Sequence, residues 1–227
     1  MKKTYLISYP RSGNTWLRYC VEFITQRPTI GYQSETASSY DKYSIGKFSN
    51  LNTNLNSEPV LIKRHGFESI MNEKSDKIVV LIRNYQEVII RHSEKIDFDS
   101  FTSNLIGKNN EVDYYSIVNQ YDKWNGEKII IYYEDLITNL EGTLKKVMSF
   151  ISNEDFSQRI SYIINNLEHH KKESIRIYSI HSESKTQGNE TKYHSNKISK
   201  AEKAKREEFV KNKDLKIFEK ILKRYEI

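Results

Sequence analysis

In "YLISYPRSGNTW" (residues 5–16) an apolar run, Tyr5, Leu6 and Ile7, stops at Pro10 and passes through Arg-Ser-Gly-Asn-Thr to Trp16. Adjacent apolar residues suit a strand covered on both faces. Beyond the loop, Trp16, Leu17, Cys20, Val21 and Ile24 fall at helical intervals over residues 14–26. The unit is strand, short polar loop, helix. In an open parallel sheet such a unit aims the N–H groups of the helix N-terminus into the crevice outside the strand ends. Ser12, Gly13, Asn14 and Thr15 would surround an anion with amides and hydroxyls, and Arg11 adds a fixed positive charge. The loop by itself is equally compatible with a polar turn that leaves Trp16 in the core. A nucleoside-triphosphate P-loop also requires Gly-Lys before a Ser or Thr; this loop has one glycine and no Gly-Lys.

Working outward, "VLIK" (residues 60–63), "KIVVLI" (77–82) and "KIIIYY" (128–133) read as further strands. Helices are expected over residues 85–94 and 112–124, and Leu136, Leu140, Leu144, Val147, Phe150 and Ile151 mark one long amphipathic helix. Strands alternating with helices predict an α/β fold with a central parallel sheet flanked by helices. Residues 29–57 are rich in Ser, Asn and Tyr and read as a long loop, a candidate lid or acceptor-binding segment. Past residue 153 the chain is charged and mainly helical, with Ser199 and Glu202 spaced as a capping box. Residues 175–197 have no clear period and read as a loop ordered on binding.

The 227 residues, 37% of them hydrophobic, can bury one sizeable core, and no linker composition or repeat divides them. One domain over residues 1–227 is expected, with a core at about 3–151 and a charged helical part, 153–227, completing the site. Cys20 stands alone and cannot form an intramolecular disulfide. No apolar run reaches the length of a secretory signal core or a membrane span, so a cytoplasmic location is expected. The net charge of +6 favours anionic partners without naming one.

At this point the residues carry a resemblance. "YPRSGNTW" (9–16) resembles the opening signature of the sulfotransferases that use 3′-phosphoadenosine 5′-phosphosulfate (PAPS), in which a P-loop-like loop cradles the 5′-phosphosulfate. In the same order, "VLIKRHGF" (60–67) resembles the strand end that carries the family's catalytic histidine. "VLIRNYQEVIIRHS" (80–93) resembles the segment that holds the 3′-phosphate, and "YDKWNGEKIIIYYEDLITN" (121–139) resembles the segment that closes the family core. The resemblance implies His65 as general base, with Arg11 and Lys63 assisting the transferring group. It implies that Arg11, Ser12, Gly13, Asn14, Thr15 and Trp16 hold the 5′ side, with Trp16 stacking on adenine, and that Arg83 holds the 3′-phosphate.

This sequence departs from the family pattern in several places. Arg11 replaces a lysine and offers a forked donor. Where the family has a serine eight residues after the arginine, this chain has Arg91, with Ser93 two further on; helix geometry favours Arg91. "SYIINNLE" (161–168) makes Tyr162 a candidate adenine neighbour. The family's late Arg-Lys-Gly leaves only Gly188 as a counterpart, after Lys185, Thr186 and Gln187, with Tyr193 where a tryptophan is usual.

Trp124, Tyr132 and Tyr133 read as packing residues, and Glu134 and Asp135 as capping or strand-to-helix anchors. His169, His170, His181 and His194 lack metal-site spacing with a cysteine, so no metal is expected. Two rival classes are a nucleotide kinase on a related fold and a basic nucleic-acid-binding protein. Against the second, the tail from residue 197 to 224 interleaves Glu with Lys at the spacing of a solvated helix face. The expected partners are PAPS and a small-molecule or glycan hydroxyl, not nucleic acid.

Overall fold

The computed structural model describes residues 3–31, 44–48, 51–67, 76–107, 113–181 and 194–226. Five parallel strands, β1 (Thr4–Ser8), β2 (Thr29–Ile30), β3 (Leu61–Arg64), β4 (Lys77–Ile82) and β5 (Lys128–Tyr132), lie in the order β2-β3-β1-β4-β5. The register pairs Leu6 with Lys63 on one side and with Val79 on the other. Every residue of β1 is buried, as its unbroken apolar run requires.

Helix α1 (Asn14–Thr25) follows β1 and covers one face, burying Leu17, Val21 and Ile24 against Leu6, Val79 and Leu81. Helix α2 (Tyr85–Ser93) follows β4 and covers the opposite face, burying Tyr85, Val88 and Ile89 against Ile7, Val80 and Ile82. Helices α3 (Phe98–Ile106) and α4 (Tyr114–Lys123) join α2 on that face. Because the chain leaves β1 and β4 toward opposite faces, a crevice opens between their carboxyl ends, the place where open α/β sheets bind ligands.

The structure corrects several expectations from the sequence. The predicted long helix is two: α5 (Tyr133–Thr138) and α6 (Leu140–Ile151) meet at Asn139, whose side chain accepts a hydrogen bond from the Gly142 amide and starts the second helix afresh. Part of the predicted loop is regular. Thr29 and Ile30 add an edge strand to β3, and Ile45–Phe48 form a 3₁₀ turn. Both are tied to α1 through Glu22, a wholly buried carboxylate that accepts hydrogen bonds from the amides of Thr29, Ile45 and Gly46 and from the Ser44 hydroxyl.

After α7 (Ser157–Asn165), helix α8 runs over Leu167–His181, so the first turns of the stretch that reads as aperiodic are helical. Its inward positions Ile177 and Ser174 are buried, whereas Ile175 is 38% exposed, and that exposed apolar residue blurs the period. Helix α9 (Lys200–Lys213) starts at Ser199, which accepts from the Glu202 amide. Only that half of the capping box forms, since the Glu202 carboxylate turns forward to Arg206 at 3.0 Å. Among the described residues, no helix is long and apolar enough to cross a membrane.

Candidate active site

The loop between β1 and α1 is built by backbone conformation. Arg11 (φ 69°) and Gly13 (φ 95°) both sit in the left-handed region, costly for the arginine and natural for the glycine. Gly13 is required for space as well: a Cβ there would lie 2.4 Å from the Tyr133 ring. Gly13 caps α1 without any side-chain hydrogen bond, so the amides of the first turn open toward the crevice. Asn14 is spent holding the loop to its strand, its Nδ2 donating to Ser8 Oγ at 3.3 Å. Ser12 Oγ is buried, with no hydrogen-bond partner among the described residues. An orphaned hydroxyl beside open helix amides is what a cradle for an anionic group would present, so these residues fit the phosphosulfate end of PAPS.

Behind the loop stands Tyr133. The Arg83 guanidinium lies 4.1 Å from the centroid of its ring, and Arg83 Nη1 donates to the Arg11 carbonyl at 3.4 Å. Burial, first among several influences, pulls the Arg83 pKa down from its ordinary value. The Arg83 backbone is pinned in turn, its carbonyl accepting from the Tyr114 hydroxyl at 2.7 Å. One turn along α2, the Glu87 carboxylate takes Arg91 Nε at 2.7 Å, Arg83 Nη2 at 3.8 Å and the Ser195 amide at 2.8 Å. Burial works to raise the Glu87 pKa, but the Ser195 amide, Arg91, the His194 amide and Arg83 outweigh it and hold the carboxyl below its usual range. Ser93 is directed elsewhere: its hydroxyl donates to the Ile89 carbonyl at 2.9 Å.

On the other side of β1, His65 follows directly after β3. Its Nδ1 lies 2.8 Å from the Ser8 carbonyl. A carbonyl only accepts, so Nδ1 carries the proton and the basic lone pair of the neutral ring belongs to Nε2. Lys63, two residues earlier, is buried, on the inward side of the strand with Leu61.

The structure thus brings Arg11, Ser12, Gly13, Asn14 and Arg83 together around the end of β1, with Arg91 joined through Glu87 and His65 through Ser8. Thr15 is half-buried in the first turn of α1. Trp16 is half-buried and stacks on Tyr19, ring centroids 5.7 Å apart and planes 14° from parallel. Tyr162 is 55% exposed and stacks on Phe23; contacts through Tyr19 and His170 connect it to Trp16. Gly188, with Lys185, Thr186, Gln187 and Tyr193, lies outside the described residues.

Three residues escaped the sequence reading. Glu87 carried a signal, lying four residues from each of the two arginines. Tyr133 read as packing, and besides packing against the core it stands between the loop and Arg83. Tyr178 had none; α8 carries its hydroxyl to 2.9 Å from Arg11 Nη1. Glu134 and Asp135 anchor, as expected, but to distant partners. Glu134 accepts from the Asn84 amide and the Tyr225 hydroxyl, and Asp135 pairs with Arg224 at 2.8 Å.

Residues 1–225 match the model of the sulfotransferase domain. The chain belongs to the sulfotransferase family. A WSCD family member of Aedes aegypti is 25% identical over 170 aligned positions, with 66% of this chain and 50% of that protein covered. A WSCD family member of Drosophila melanogaster is 26% identical over 169 aligned positions, with 65% of this chain and 50% of that protein covered. The chain thus spans about half the length of the curated relatives it matches. Among solved structures, mouse sulfotransferase SULT7A1 complexed with PAP superposes with a TM-score of 0.68 at 16% identity, covering 95% of this chain and 85% of that one. Retinol dehydratase in complex with androsterone and the inactive cofactor PAP gives 0.61 at 15% identity, with 93% and 81% covered. At these identities the likeness is one of fold, and it agrees with the parallel five-stranded sheet.

Proposed function

We propose that this sulfotransferase domain moves the sulfuryl group of PAPS to an acceptor hydroxyl, with His65 as general base. The observation that carries the reading is convergence: the uncapped end of α1, the orphaned Ser12 hydroxyl, Arg11 and the oriented His65 ring all meet at the carboxyl end of β1. The acceptor O–H gives its proton to His65 Nε2 as its oxygen bonds to sulfur. The bond from sulfur to the 5′-phosphate oxygen breaks, and its electron pair stays on that phosphate, leaving 3′-phosphoadenosine 5′-phosphate (PAP). Charge therefore grows on the departing phosphate, where Arg11 and the loop amides are already aimed, and such preorganised donors are each worth about 10²- to 10³-fold in rate.

Arg83 and Arg91, held by Glu87, take the 3′-phosphate in this reading, and Trp16 takes the adenine. The acceptor is a small-molecule or glycan hydroxyl. Calorimetry with PAP in a chelator tests the cofactor reading and should give binding without magnesium. Metal-dependent binding of ATP in its place would overturn it in favour of a kinase. Screening hydroxyl compounds with labelled PAPS tests for turnover, and the absence of PAP binding together with salt-sensitive nucleic-acid binding would sink the enzyme reading altogether.

A further inference from the structure

Helix α8 belongs to the part of the chain whose role the sequence left unassigned. It packs along α1 by one face. His170 Nδ1 and the Tyr19 hydroxyl are 2.9 Å apart, and burial, followed by the neighbouring His169, pulls the His170 pKa down and favours the neutral ring. Four and seven residues on, Ser174 and Ile177 are buried on the same side. That face fixes both the rotation and the height of the helix. Tyr178, eight residues after His170, is half-buried, and its hydroxyl accepts from Arg11 Nη1 at 2.9 Å. The Arg11 backbone is held independently, by its left-handed φ and by Arg83 on its carbonyl. The hydrogen bond that Arg11 Nη1 donates to this phenol, itself held by the packed helix, restricts the rotamers of the long guanidinium arm.

We propose that Tyr178 is a positioning residue: it sets the direction of the Arg11 guanidinium, so that the cation is aimed at the 5′ group before the cofactor arrives. The inference rests on the reading of the loop as the 5′ subsite. It explains why an arginine can serve where the family has a lysine. A planar fork carries its N–H donors in fixed directions, so one bond to the phenol orients the whole group, which it could not do for a flexible point charge. Tyr178 acts through Arg11 and takes no proton in the transfer.

The test is calorimetry with two ligands, PAP and adenosine 3′-phosphate, on the unaltered chain, Tyr178→Phe, Arg11→Ala and the double variant. Tyr178→Phe keeps the ring and removes only the hydroxyl. It should weaken PAP by about tenfold, the lower end for a hydrogen bond to a charged group, and leave adenosine 3′-phosphate unchanged. In the Arg11→Ala background the same change should do nothing further, because the group it positions is gone. Equal losses on both ligands, an undiminished loss in the Arg11→Ala background, or full PAP affinity in Tyr178→Phe would each overturn the inference while leaving the 5′ reading standing. Failure of the unaltered chain to bind PAP would bring down that reading, and this inference with it.

Discussion

The two ends of the proposed cofactor site are made from different materials. On the 5′ side the donors come mostly from backbone: left-handed conformations at Arg11 and Gly13 and an uncapped helix end, with a single guanidinium added. On the 3′ side they are side chains, Arg83 and Arg91, held apart by the buried Glu87 carboxylate. A backbone site tolerates changes of side chain but not of conformation or space. A side-chain site depends on the charge that keeps its cations in place.

The largest expected effect is at His65, on the 5′ side. His65→Ala should cut single-turnover rates by about 10²- to 10⁴-fold, as for a lost general base, while PAP affinity stays near that of the unaltered chain. A variant that turns over at the original rate with cofactor saturating would remove His65 from the chemistry.

Glu87 comes next, and it probes the 3′ side directly. Glu87→Ala leaves two guanidinium groups facing each other and frees the Ser195 amide, so it should cost about 3 kcal/mol in denaturant unfolding. The sign with pH is determined by the depressed carboxyl. Its contribution is complete above the unfolded pKa and disappears as pH falls through the lower folded value. Thermal melts should therefore show the unaltered chain losing its advantage over Glu87→Gln in acid; a gap that is constant with pH would break the assignment.

Smaller effects separate the 3′ donors. Arg83→Ala and Arg91→Ala should each weaken PAP by about 1.5 to 3 kcal/mol, the worth of hydrogen bonds to charged groups, with little change for adenosine 5′-phosphosulfate. Equal losses on both ligands would place these arginines in folding instead. Smallest of all is Ser93→Ala, since that hydroxyl serves its own helix backbone; affinity should move by no more than about 0.5 kcal/mol. A harmful Ser93→Ala beside a silent Arg91→Ala would reverse the register argued for α2.

The elements around the candidate site were legible because much of it is local. The run from Tyr5 to Trp16 contains a strand, a loop and a helix start in consecutive residues, and period alone separates them. Arg91 was preferred to Ser93 by helix spacing; in the structure Arg91 Nε meets the Glu87 carboxylate and the Ser93 hydroxyl donates to the Ile89 carbonyl. The split at Asn139 was missed because the apolar spacing continues across it; only the cap shows the break. Strand β2 was missed because two residues carry no period.

Spacing also indicated a β1 covered on both faces and followed by small residues, and the resemblance, not the spacing, pointed to an anion-binding role for the loop. What joins that loop to the rest came from packing. Arg11 and Tyr178 are 167 positions apart, and Glu87 and Ser195 are 108. Helical and strand periods extend over one element and say nothing about which elements meet. The docking of α8 on α1 decided which hydroxyl holds Arg11, and the place of Ser195 beside α2 decided which amide joins the shell of Glu87. Both depend on how two faces fit, a property of surfaces that form only once the chain has folded.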